Sequence, residues 1–383
     1  MADLDQGKKK DEPSGGRTQI IVAIIGAAAV VIAGLITGFF ELASSHNSTS
    51  SSASPTTAAT ASTSASVPAT SGEPTPTSGV PAGLISLHSP GVDAVAYSFD
   101  GNFLATGNSD GVVGVWQTST WKALPSMTDS DGEKVTSVAF NPLNNLLAAG
   151  DAAGNVYLWS HYLVQTLSGP PRVAVRSVTF SFNQSGSEFL AIGYSNGTIG
   201  IWQDDSAGPL GTWSRVATVG AQNGQSVNSV AFNPSNPQQL VAGETNGKVY
   251  LWTWADNHAD VLSDPSGSAV ESVVFSTDST VVVAGDSDGH VYVWQVDTGQ
   301  RTESLTDQGS KGITSVAFNS GTETIAAADS NGLVYLWLYT LKGVLRDKSP
   351  ASALSVAYSP SSGSSELAVA SSSGNVYVMP ETP

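Results

Sequence analysis

The chain has 383 residues, a formal charge of −17, 40% hydrophobic residues and only 12% charged ones. With no cysteine, disulfides, thiolate metal sites and cysteine nucleophiles are all excluded. From Pro81 onward 11 Lys+Arg face 26 Asp+Glu, which argues against nucleic acid and favours a basic or cationic partner.

Residues 1–19 mix Lys8, Lys9, Lys10 and Arg17 with Asp3, Asp5, Asp11 and Glu12 and read as a short polar tail. Residues 20–40 follow as 21 residues without a charge. As a helix they would span roughly 31 Å, matching the ~30 Å hydrocarbon core of a bilayer. A cleavable signal peptide fits less well: its apolar run is about 7–15 residues, and small residues should follow where Phe39, Phe40 and Glu41 stand. A single transmembrane helix is therefore expected at 20–40. Its Lys and Arg precede it and none recurs until Lys122, which predicts a cytoplasmic tail at 1–19 and the remainder outside the cell membrane. Gly34 and Gly38 have the GxxxG spacing that lets two membrane helices approach.

Residues 41–80 are rich in Ser, Thr, Pro and Ala and cannot bury a core, so a disordered linker is expected there. As a flexible chain it would reach on the order of 35 Å. It includes the sequon Asn47-Ser48-Thr49.

Residues 81–383 repeat with a period near 43. Each unit has a first strand such as VTSVAF ending at Phe140, a second such as LLAAG ending at Gly150, and a third such as NVYLW ending at Trp159. First strands end at Tyr97, Phe140, Phe180, Phe232, Phe275, Phe318 and Tyr358. Third strands end at Trp116, Trp159, Trp202, Trp252, Trp294 and Trp337, with Met379 in the last copy. Seven such units predict an all-β, seven-bladed β-propeller. Asp110-Gly111, Asn196-Gly197, Asn246-Gly247, Asp288-Gly289 and Asn331-Gly332 are expected to supply the positive φ angles of the hairpins. The last copy has no fourth strand after Met379, while a strand-like stretch at 84–88 precedes the first copy. That stretch should complete the seventh blade and remove an exposed edge.

The V-x-S-V-A-F-N-P, L-A-A-G and N-G-x-V-Y-L-W elements, clearest at 135–159 and 227–252, resemble the WD-repeat propeller family. With the anchor and linker, the whole resembles membrane-anchored bacterial proteins of the actinobacterial type. The Asp that this family places after the blade Trp is absent: Gln117, Ser160, Gln203, Thr253, Gln295 and Leu338 stand there. Residues 286–300 also resemble one repeat of the quinoprotein propellers.

Chemistry is sparse. His46, His88, His161, His258 and His290 form no recognisable ligand pair, and neither a nucleophile elbow nor a phosphate loop is present. No catalytic, cofactor-binding or metal-binding set is expected. The position after the second strand reads Asn108, Asp151, Tyr194, Glu244, Asp286, Asp329 and Ser371, with Asp110 and Asp288 two residues beyond. Asp110, Asp151, Glu244, Asp286, Asp288 and Asp329 thus define a candidate acidic rim for a cation or a basic peptide. The competing reading is that these residues simply make the turns. The long stretch 203–226 and Trp121, Trp213 and Trp254 are further candidates for partner contact or for packing on outer strands. The leading expectation is a membrane-anchored binding or scaffold module for protein, peptide or glycan ligands. The alternatives are an envelope enzyme of quinoprotein or glycosidase type and a sensor acting through a partner protein.

Overall fold

Each cassette folds as an antiparallel sheet because its apolar runs are interrupted by turns that glycine closes. Gly197, Gly247, Gly289, Gly332 and Gly374 take φ between 77° and 94°. Their N–H groups donate to the carbonyls of Tyr194, Glu244, Asp286, Asp329 and Ser371 at 2.9–3.2 Å. The residue before each glycine does not share the positive φ expected of the pair. This is the arrangement of a type I turn closed by one left-handed residue, not of a two-residue primed turn.

The computed structural model describes residues 85–381, apart from short stretches at 90, 129–131, 161, 182–187, 206–210, 221–223, 264–265, 307–308, 320, 339, 347–350 and 361–364. The tail, membrane helix and linker expected at 1–19, 20–40 and 41–80 lie outside the described residues. Among the described residues no helix is long and apolar enough to cross a membrane.

Seven sheets form the ring. Blade 2 shows the common plan, with strands Val135–Phe140, Leu147–Asp151, Asn155–Trp159 and Leu163–Ser168 running outward in order. Blade 1 begins at Val92–Tyr97, and its outer strand is split into Lys122–Ala123 and Met127–Thr128, both paired to Val112–Gln117. Blades 3 to 6 begin at Val175–Phe180, Val227–Asn233, Val270–Phe275 and Ile313–Asn319. Blade 7 joins Ala353–Tyr358, Glu366–Ser371 and Asn375–Pro380 to Ile85–His88, which supplies its outer strand. The register is antiparallel, with Ser86 opposite Tyr377 and Leu87 opposite Val376. The closure expected from the sequence is therefore present. First strands touch their neighbours all the way round, blade 7 against blade 1 included, so they line the axis.

The core is a set of seven seams, each shared by two adjacent blades. Successive side chains of a strand point to opposite faces of its sheet. Accordingly Tyr157 and Trp159 pack on blade 1, while Val156 and Leu158 pack on blade 3. The same split recurs at Tyr292 and Trp294 against Val291 and Val293. Gly150 stands where blade 3 comes closest: a Cβ there would lie 2.3 Å from Val175 Cγ1.

Polar atoms also cross the seams. The first strand is the edge of each sheet, so alternate N–H groups have no ladder partner. Serine from the preceding blade accepts one of them. Ser137, Ser177, Ser229, Ser272, Ser315 and Ser355 accept from the N–H of Val178, Val230, Val273, Val316, Val356 and Val95, at 3.0–3.3 Å. The seventh seam, between blades 1 and 2, has Ala94 at this position and so lacks the hydroxyl. Ala94→Ser should therefore raise thermal stability, and Ser229→Ala should lower it, each by about 1 kcal/mol. Differential scanning calorimetry checks both signs.

Candidate functional site

The ring has two faces with different chemistry. One carries the turns between second and third strands and the starts of the first strands; this is the turn face. The other carries the loops between first and second strands. Ile85 pairs with Val378, and His88 pairs with Asn375 beside the turn, so the chain enters blade 7 from the side opposite the turn face.

The candidate rim residues do lie at the turn face. Asp151, Glu244, Asp286 and Asp329 are the last residues of their strands and are buried to 1% exposure or less. Their carboxylates are engaged by their own turns. Asp151 accepts from the N–H groups of Gly154 and Asn155, both at 2.7 Å. Asp286 accepts from the N–H groups of Asp288 and His290 and from the Ser266 hydroxyl. Asp329 accepts from the N–H groups of Asn331 and Leu333. Glu244 accepts from the Asn246 amide. Asn108 performs the same task in blade 1, accepting from the N–H groups of Asp110 and Val112. Asp110 and Asp288 are exposed. Among the described residues no three His, Asp or Glu side chains are grouped so as to hold a metal ion. His290 Nδ1 stands 3.3 Å from Asp286 Oδ2, without the geometry of a hydrogen bond.

A second ring, which the sequence reading passed over, lies beside the axis on the same face. Every first strand carries a bulge after its first residue. The extra residue is Asp93, Thr136, Arg176, Asn228, Glu271, Thr314 or Leu354. Bulges re-aim a side chain out of the ladder. Asp93 is paired with Lys134 at 2.9 Å. Thr136 and Thr314 donate to carbonyls of their own and the next blade, and Asn228 donates to the Glu271 carboxylate at 3.2 Å. Burial pushes the Glu271 carboxyl up, against the downward pull of the Arg176 charge. The mouth therefore carries both signs of charge. The sequence signal for it was the one variable letter inside V-x-S-V.

The three extra tryptophans serve packing. Trp213 is 2% exposed and meets Phe180 edge-on at 5.5 Å. Trp254 meets Phe189 at 5.0 Å and donates to the Pro237 carbonyl. Trp121 packs into the seam of blades 7 and 1. In the long stretch 203–226, residues 213–219 form the outer strand of blade 3, and 206–210 and 221–223 lie outside the described residues.

If the buried acids hold the turns, Asp329→Ala should cost about 2 kcal/mol, the scale of hydrogen bonds to a charged group. Asp110→Ala should stay within about 0.5 kcal/mol. Equilibrium urea unfolding of the two variants separates them.

The family model for the WD domain, G-beta repeat, matches residues 79–117, 121–160, 213–253, 259–295 and 299–337, together just over half of the chain. A guanine nucleotide-binding protein subunit beta-like protein of Encephalitozoon cuniculi is 24% identical over 225 residues, covering 54% of this chain and 66% of that protein. A periodic tryptophan protein 2 homolog of Dictyostelium discoideum is 23% identical over 214 residues, covering 55% of this chain and 22% of that protein. The chain thus spans less than two thirds of the length of either relative. The crystal structure of the Myceliophteria thermophila Cps50 (Swd1) β-propeller domain superposes with a TM-score of 0.66 at 15% identity, over 78% of this chain and all of that one, a likeness of fold. The chain belongs to the WD domain, G-beta repeat family.

Proposed function

We propose that this protein is a binding and scaffolding module, not an enzyme, and that it engages protein partners through the mouth of the channel on the turn face. The observation that carries this reading is the bulge ring. Seven positions in one constant cassette hold six kinds of side chain around a single axis, Thr occurring twice and Arg176, Asn228 and Glu271 among them. A repeated frame with a varied rim suits recognition of a partner by several small contacts, as loops and rims on a rigid scaffold commonly do. The exposed Asp110 and Asp288 add negative charge to the same face and favour a basic partner segment. The apolar stretch 20–40 and the Ser/Thr-rich 41–80 support a single-pass anchor and a linker, with the ring outside the cell membrane. Ile85, through which such a tether connects, enters from the side opposite the turn face.

The full-length chain, carrying an affinity tag, is to be isolated from native membranes with its bound proteins, alongside an Arg176→Glu/Glu271→Lys variant. Recovery of a specific partner should fall about tenfold or more on this double reversal, with the melting temperature unchanged. Equal recovery by both proteins would remove the channel mouth as the binding surface.

A further inference from the structure

Because the seven seams are built from one cassette, each is an internal control for the others. Below the blade Trp, toward the loops between first and second strands, the seam of blades 2 and 3 is closed. Gln165 and the main chain of Trp213 exchange two hydrogen bonds of 2.9 Å across it. The pocket beside Trp213 at this seam holds about 30 Å³. At the seam of blades 3 and 4, Trp254 meets Phe189 edge-on at 5.0 Å, and Ala217 and Ala259 pack against the same core cluster. The seam of blades 5 and 6 differs. Glu303 occupies the position of Gln165, one opposite Val293 and the other opposite Leu158 in their sheets. A groove of about 660 Å³ opens there, within the roughly 300–1,000 Å³ usual for ligand pockets.

The floor of this groove is apolar, formed by Val293, Leu305, Phe318, Ile325 and Trp337. Its lining includes three carboxylates, Asp278, Glu303 and Glu323, and no Lys or Arg. Asp278 is anionic at neutral pH: bonds from the Ser276 hydroxyl and from the Thr280 N–H and hydroxyl hold its carboxyl below the usual range. Glu323 holds a φ of 55°, in a turn where blade 2 uses Asn145. Asn adopts that conformation far more readily than Glu, so the acid is not there for the turn. Leu338 is 37% exposed at the groove.

The geometry points to this groove as a second docking site, on the face opposite the turns, for a peptide segment of a partner protein that inserts an apolar side chain flanked by Lys or Arg. Charge complementarity selects the occupant. An apolar anchor fills the floor, and cations beside it meet carboxylates that no basic residue of the lining neutralises. An acidic or purely apolar segment would bring either like charge or no partner for the three anions.

The test uses a random dodecapeptide library displayed on phage and panned on the full-length chain. Enriched peptides should pair Lys or Arg with a neighbouring Leu, Ile, Phe or Trp. A synthetic copy of the most enriched peptide should bind about tenfold more weakly to the Glu303→Gln/Glu323→Gln variant and to Leu338→Lys, and equally well to Arg176→Glu, with each variant melting as the parent does. Loss on Arg176→Glu alone would move the peptide to the channel mouth and overturn the groove. Enrichment without the cationic-apolar signature, no enrichment at all, or binding indifferent to Glu303 and Glu323 would overturn it as well. Failure here leaves the reading of the channel mouth untouched, because the two sites share no residue.

Discussion

The third strand of every blade is apolar on both faces, and neither face can be covered without a neighbour. Tyr157 and Trp159 need blade 1 as much as Val156 and Leu158 need blade 3. A single cassette would leave two apolar surfaces in water, each worth several kcal/mol at about 25 cal/mol per Å². A ring is the arrangement that covers every such face, and it leaves only short, protected sheet edges. The serine bridges add direction to this burial, since each fixes the height of one first strand against the next.

Much of this was legible in the sequence because the cassette repeats. Recurrence of the V-x-S-V-A-F-like first strand and of a third strand ending in Trp, or in Met379 in the last copy, located seven blades and the closing strand at the correct end of the domain. The turns were legible in place but not in detail: a dipeptide such as Asp288-Gly289 does not say whether one or two residues take positive φ. The structure gives that role to glycine alone. The acidic positions were legible as a set and ambiguous in purpose. A carboxylate at the end of a second strand can face a ligand or bend back to its own turn, and only burial and bond partners tell the two apart. Asp151 and Asp329 bend back.

What could serve a partner was harder to read, for a physical reason. The bulge that turns Arg176, Asn228 and Glu271 toward the channel mouth leaves no mark of its own in the letters around it. The groove between blades 5 and 6 has Glu303 at the point where blade 2 has Gln165, a change that looks trivial along the chain. In both cases a regular frame holds residues that depart from its pattern, as expected where local rules give way to function.

The account rests on closure of the ring by Ile85–His88 against Asn375–Pro380, in the register that sets Leu87 opposite Val376. Directly opposed residues of an antiparallel pair stand about 4.5–5.5 Å apart at Cα, a distance a disulfide can bridge. The chain has no cysteine of its own to interfere. In the full-length protein, Leu87→Cys/Val376→Cys should oxidise to a covalently closed ring, seen as a shift in electrophoretic mobility that reductant reverses. Leu87→Cys/Tyr377→Cys, whose side chains face opposite sides of the sheet, should remain reduced. Free thiols in the first variant, or equal cross-linking in both, would contradict the closure.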